Sequence, residues 1–279
     1  MVIVFLFGAA LGSFVAVVAG RFNTGLPFLK GRSFCFSCNS WLGGRDLVPV
    51  FSFLFLRGRC RYCGSKIPKE TIVTELLMGT LSILAFWKSG FFGFNFSAII
   101  LNSYFIIHIF QYLLLTAIFA AILLISVYDL RHSIIPDSFL ISFLVLSFFY
   151  TWLLATDLWL FSRITSAVVL TLPFLLIFLI SKGRWLGFGD VKYIAIIGFF
   201  LGFTSGLSAI ILAFWIGAAF SIIILLGKPL LSSFGLLTKG KHLTIKSEIP
   251  FGPFLSLGTV LAFLLDLDIF HINEFLNLF

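Results

Sequence analysis

Ile122-Leu123-Leu124-Ile125-Ser126-Val127-Tyr128-Asp129-Leu130-Arg131-His132-Ser133-Ile134-Ile135-Pro136-Asp137 joins an apolar run to a short polar connection, and its reading decides the fold. Upstream, residues 105–128 hold no Asp, Glu, Lys or Arg; downstream, Ser138-Phe139-Leu140-Ile141 opens a second apolar run. About 20 such residues cross a hydrocarbon layer ~30 Å thick as an α-helix. The stretch therefore reads as two membrane helices meeting at a polar turn, with Asp129 at the C-terminal end of the first. The helix macrodipole disfavours a carboxylate there, and an ionisable group bordering hydrocarbon is a functional candidate by default.

The rest of the chain extends this pattern. Of 279 residues, 60% are hydrophobic, 11% are charged and 38 are Phe, a composition that excludes an ordinary soluble domain. The fold class is an all-α polytopic membrane protein of about eight transmembrane helices. Spans are expected near 1–20, 71–88, 105–128, 138–156, 158–181, 190–203, 207–227 and 250–267. The domains are helix 1 (1–20), a polar module (21–70) and a membrane domain with seven further helices (71–279). The first span lacks a basic segment before it, so it reads as a retained helix and not a cleaved signal.

Residues 89–128 carry no Asp, Glu, Lys or Arg, so they hold one crossing or two. With one, every Lys and Arg except Lys88 and Arg163 falls on a single side, as the positive-inside tendency requires. That side is cytosolic, and both chain ends lie outside. The net charge of +8 is explained by loops facing anionic lipid, and no nucleic-acid partner is implied.

All four cysteines fall in the polar module, as Cys35-Phe36-Ser37-Cys38 and Cys60-Arg61-Tyr62-Cys63. Two C-x-x-C turns can aim four thiolates at one tetrahedral ion, so Cys35, Cys38, Cys60 and Cys63 read as a structural zinc site that staples a segment too small to fold unaided. Two disulfides, or a redox-active C-x-x-C pair, are the alternatives; the basic flanks, which place the segment in a reducing compartment, weigh against both.

Among the acidic residues, Asp137 suits the N-cap of the helix after Pro136. Asp190, in Gly187-Phe188-Gly189-Asp190, also suits an N-cap. Yet it opens a run whose first helix is cut short by a turn around residues 202–206, which draws the carboxylate toward the acyl region. Gly187 and Gly189 permit close approach of another backbone, such as an extended substrate. Asp129 and Asp190 on one side of the bilayer make a candidate carboxylate dyad. Two close carboxylates do not both ionise cheaply, so one activates water while the other, protonated, hydrogen-bonds a carbonyl. His108 reads as a hydrogen bond between helices, His132 as a solvated loop residue, and Pro173 as a helix kink.

Together these residues resemble the type IV prepilin leader peptidases, a family of intramembrane aspartyl proteases with a Gly-x-Gly-Asp motif. The resemblance runs over nearly the whole chain. It takes in Gly12-Ser13-Phe14 with Arg21, the paired cysteines, Leu47-Val48-Pro49, Arg57-Gly58-Arg59, Glu75-Leu76-Leu77 and the segment from Asp129 to Asp137. It continues through Gly187-Phe188-Gly189-Asp190-Val191-Lys192 and Ile249-Pro250-Phe251-Gly252-Pro253-Phe254. It implies that Asp129 and Asp190 are catalytic, and that the substrates are prepilins and pseudopilins, cut at the cytosolic face of the bacterial cytoplasmic membrane. It further implies N-methylation of the new N-terminal residue from S-adenosylmethionine.

Departures from the family pattern are Ala16, Phe36, Trp185 and Thr71-Ile72, none of them in the dyad. The chain has no Gly-rich strand-to-helix turn of the dinucleotide-binding type. Glu75, a carboxylate within a span, is a cofactor-binding candidate because a sulfonium or an amine would balance it; an ion pair with Arg21 or Lys69 is the alternative. Competing functions are a peptidase without methyltransferase activity, a non-catalytic membrane assembly factor, and an ion-coupled transporter. A transporter would show matching broken helices in two repeats, which the halves lack. The charge-free stretch 89–104 is a candidate element for lateral access of substrate.

Overall fold

The computed structural model describes residues 1–25, 33–90, 103–154, 159–233 and 250–269. Those residues form helices and turns, with two isolated β-bridges and no strand among them. The helices are α1 (Val2–Arg21), α2 (Phe51–Phe55), α3 (Lys69–Lys88), α4 (Ser103–His132), α5 (Asp137–Leu153), α6 (Trp159–Ser181), α7 (Phe188–Leu201), α8 (Phe203–Ser233) and α9 (Gly252–Leu264). All but the short α2 fall where the apolar runs predict. Five, in α1, α3, α4, α6 and α8, are long and apolar enough to cross a membrane; α5 and α9 are shorter apolar helices. The 14 residues of α7 rise about 21 Å, well short of the hydrocarbon thickness. The candidate access stretch 89–104 lies mostly outside the described residues.

The chain divides into two compact units, one of residues 1–128 and 145–154, the other of 129–144 and 155–279. In the first, α1 packs along α3. Gly8 and Gly12 form a G-x-x-x-G stripe; a Cβ on Gly12 would lie 2.5 Å from the Thr74 carbonyl oxygen and 2.8 Å from Glu75 Cα. Within a bilayer no hydrophobic effect drives helices together, so this close van der Waals approach, with polar links, holds the pair. Ser82 Oγ supplies such links, donating to the Val4 carbonyl (3.0 Å) and meeting the Tyr112 hydroxyl of α4 at 2.8 Å. His108 Nδ1 lies 2.7 Å from the Ser89 carbonyl oxygen, a bond between helices as expected.

In the second unit α7 packs against α6, α8 and α9, with Tyr193, Ile194 and Ile197 fully enclosed. The Arg163 guanidinium donates to the Phe200 carbonyl at 2.9 Å, covering the negative end of α7. Gly202 at φ 83° then ends that helix. Asp137 stands one position inside the expected N-cap, because the Pro136 carbonyl accepts the first bonds of α5 from Phe139 and Leu140 N–H. Its carboxylate pairs with Lys192 Nζ at 2.6 Å, and the exposure of both groups limits that pair to about 0–1 kcal/mol.

Candidate active site and cysteine centre

The two aspartates singled out by the sequence both belong to the second unit. Asp129 lies in the last turn of α4, four residues before Ser133, whose N–H closes that turn on the Asp129 carbonyl. Its side chain is 4% exposed. Asp190 is the third residue of α7, after Gly187 as the helix cap, and the cap's backbone N–H serves its carboxylate. The carboxylates are close enough for the charge of Asp129 to act on Asp190. Residues 61 positions apart in sequence are thus brought together, each on a helix terminus.

A third element completes the group. The Gly252 N–H, at the first position of α9, donates to Asp129 Oδ2 at 3.0 Å. A Cβ at position 252 would fall 2.6 Å from Oδ2 and 3.1 Å from Cγ, so a side chain there displaces the carboxylate. The amide belongs to the unsatisfied N–H set of a helix N-terminus, which favours negative charge. A buried polar chain fixes this turn of α9: Ser256 Oγ donates to the Gly252 carbonyl (2.9 Å) and meets the Tyr193 hydroxyl of α7 at 2.8 Å. Tyr193 lies one turn beyond Asp190, so one helix positions both carboxylates' surroundings. Tyr193 and Ser256 escape a reading by motif; the usable signal is a lone phenol in an apolar run, which needs a partner when enclosed. For Gly252, Gly-Pro before an apolar run marks a helix start.

The glycines of Gly187-Phe188-Gly189-Asp190 have immediate neighbours. A Cβ on Gly189 would meet Ile135 Cβ at 3.2 Å, and one on Gly187 would meet Asp190 Oδ2 at 3.2 Å. The close approach expected of a substrate backbone is made here by the protein's own side chains.

In the first unit the two C-x-x-C segments adopt the same backbone. The Cys35 N–H donates to the Ser40 carbonyl (3.0 Å) and the Leu42 N–H to that of Ser33 (2.9 Å); Cys60 N–H to Ser65 (2.8 Å) and Ile67 N–H to Gly58 (2.8 Å) repeat them. The bridges Phe34–Trp41 and Arg59–Lys66 correspond in the same way. After the second cysteine of each pair, Asn39 (φ 54°) and Gly64 (φ 71°) take the left-handed conformation, the one position where both turns need a residue tolerant of it. The four Sγ atoms lie within 4.8 Å of one another, and Cys35 and Cys63 Sγ are 3.8 Å apart. With Zn–S bonds near 2.3 Å, a tetrahedron has an S···S edge of about 3.8 Å, so the donor set fits one metal ion with no open position. The Ser65 hydroxyl lies 3.5 Å from Cys35 Sγ and 3.1 Å from Cys63 Sγ. First through Ser65, then through nearby backbone amides, the Cys35 thiol is drawn down to about 5, and that of Cys63 is also lowered.

Glu75, the sequence candidate for a cationic partner, is 6% exposed. Its Oε2 accepts the Val50 N–H at 2.6 Å, and the Ser13 hydroxyl also bonds it. Val50 sits at φ 65°, ψ −52°, with the Phe51 N–H on the Pro49 carbonyl at 2.7 Å, a γ-turn of the strained hand. Such a backbone costs on the order of 1–3 kcal/mol at a β-branched residue, and the bond to Glu75 helps hold it.

Two family models match parts of the chain: "Bacterial Peptidase A24 N-terminal domain" over residues 6–89 and "Type IV leader peptidase family" over residues 116–222. Among curated relatives, a "Prepilin leader peptidase/N-methyltransferase" of Bacillus subtilis is 29% identical over 262 residues, 94% of this chain and 93% of the relative. A "Type 4 prepilin-like proteins leader peptide-processing enzyme" of Escherichia coli is 27% identical, covering 91% of this chain and 89% of the relative. A Burkholderia pseudomallei protein named as the first is 27% identical over 85% of this chain and 67% of its own length. No solved structure matches. The first match contains the cysteine centre and Glu75, the second contains both aspartates, and on these grounds the chain belongs to the type IV leader peptidase family.

Proposed function

We propose that this membrane protein is an aspartyl endopeptidase that removes the leader peptide of prepilins and pseudopilins at the cytosolic face of the bacterial cytoplasmic membrane. The observation that carries the reading is the juxtaposition of buried Asp129 with Asp190 beside the Gly252 amide. One carboxylate takes a proton from water as the oxygen attacks the scissile carbonyl; the other, protonated, gives its proton to the carbonyl oxygen. The tetrahedral diol then collapses: the carboxylate that gave its proton takes one back from a diol hydroxyl, the C–N bond breaks, and the proton held by the base passes to the leaving amine. The names of the B. subtilis and E. coli relatives support the substrate class. The concentration of Lys and Arg in the loops supports the orientation.

The same relatives support a second step, methylation of the new N-terminal amine by S-adenosylmethionine, which supplies an electrophilic methyl group. Glu75 enters this half of the reading through the loop it holds: its carboxylate already receives the Val50 and Ser13 donors. The cysteine centre fits zinc in a structural capacity, because four thiolates leave no position for a reacting water.

The test is cleavage of a purified prepilin in detergent, with mass spectrometry of the mature N-terminus. Wild type should cleave and should add about 14 Da to the product, the mass of one methyl group replacing hydrogen, whereas Asp129→Asn and Asp190→Asn should each lose about 10²–10⁴-fold in rate. Cleavage at the wild-type rate by either folded variant overturns the mechanism.

A further inference from the structure

Between the two cysteine knuckles, the polar module carries an apolar patch that neither the peptidase nor the metal reading uses. In the sequence Leu47-Val48-Pro49-Val50-Phe51-Ser52-Phe53-Leu54-Phe55-Leu56, Leu47, Val48, Phe51, Leu54 and Phe55 are exposed, Phe55 at 85% and Leu54 at 61%. Arg57 and Arg59 follow immediately and are exposed as well. We propose that this segment, centred on α2, is an interfacial anchor that lies in the membrane surface, its Phe and Leu side chains among the acyl chains and its arginines at anionic lipid headgroups.

Position carries the argument. Glu75 lies six residues into α3, about 9 Å along a helix that is long and apolar enough to span the bilayer. The bond from Val50 N–H to Glu75 Oε2 therefore fixes the start of α2 at that depth, beside the membrane helix. Around the same level α3, a helix long and apolar enough to cross a membrane, exposes Val73, Leu76 and Leu77. The γ-turn at Val50 sends the chain directly from this bond into α2. Interfacial elements bury their apolar face about 5–10 Å into the headgroup and acyl boundary, and neighbouring basic residues are drawn to anionic lipid. By contrast, the turn at Gly44–Asp46 in the same module is polar, and Asp46 is paired there with Arg61 at 2.6 Å. Depth, apolar exposure and the basic rim all fit a lipid surface, whichever side of the membrane the module occupies.

The test uses the full-length protein in vesicles of phosphatidylethanolamine and phosphatidylglycerol, with the photoreactive p-benzoylphenylalanine in place of Phe55, or of Leu54, or of Gly44, where the surroundings are open. A prepilin peptide is included, and adducts are identified by mass spectrometry after illumination. The proposal expects phospholipid adducts at positions 55 and 54, several-fold above those at 44, and enriched in phosphatidylglycerol over its share of the vesicle. Metal content equal to wild type reports that the module is folded. Adducts mainly to the prepilin peptide would make the patch a substrate dock and overturn the proposal. So would lipid adducts no more frequent at 55 and 54 than at 44.

Discussion

The cysteine module and the aspartate site are built by opposite means. In the module, two short segments each fold locally into the same turn, and the bonds that shape each turn span fewer than ten residues. At the aspartate site nothing is local: Asp129, Asp190 and Gly252 come from three helices, and the bond that aims Asp129 joins residues 123 positions apart. The module has duplicate geometry and gathers four thiols that fit one metal ion. The aspartate site depends on helix packing that a single methyl group can disturb. Damage should thus be confined within the module and felt at a distance around the aspartates.

Several substitutions would break or sharpen that contrast. The carboxylates carry the largest effect, the 10²–10⁴-fold losses expected above, with metal content untouched. Gly252→Ala comes next. Its Cβ has to displace the Asp129 carboxylate, and misplacement on the order of 1 Å costs about 10²-fold in kcat. Cleavage assays on this variant should show KM little changed; wild-type kcat would mean that α9 does not position Asp129.

Removing the metal tests the other region. Cys60→Ser, or chelation of the wild type, should abolish metal binding and expose residues 33–67 to protease while the aspartate site keeps most of its cleavage rate. Equal collapse of cleavage and metal content would show that the two regions are not separable. Tyr193→Phe deletes the hydroxyl that meets Ser256, one neutral hydrogen bond of about 0.5–1.5 kcal/mol, and should lower kcat up to about tenfold without changing KM. The smallest effect concerns Ser65. Metal binding needs deprotonated thiols, and Ser65 lowers both Cys35 and Cys63, so Ser65→Ala should move the pH midpoint of metal uptake upward. A titration showing no shift, or a downward one, would remove Ser65 from the account.

The contrast also explains what could be read from the sequence. Where the apolar helices fall was legible because lipid-facing segments must be apolar along their length, although only five of those described are long enough to cross a membrane, and the four cysteines were legible because ligand spacing is a local property. Asp129 was legible as a charge at an unfavourable helix end, and Asp190 from the glycines that precede it. The role of Gly252 was not, since it lies in an amide whose partner is distant in sequence. Glu75 was singled out as a charge within a span, but its backbone partner at Val50 depends on a turn that no propensity favours in a β-branched residue. The short α2 was missed for a similar reason: five residues, four of them apolar, are too few to show a helical period.

The most direct test of the central claim, that Asp129 and Asp190 act as one catalytic group, is the cleavage rate of the double variant against the two single ones. Groups that act as a unit are non-additive, so Asp129→Asn, Asp190→Asn and their combination should fall to nearly the same residual rate. Losses that multiply in the double variant would mean that the two carboxylates act independently, and would contradict the account.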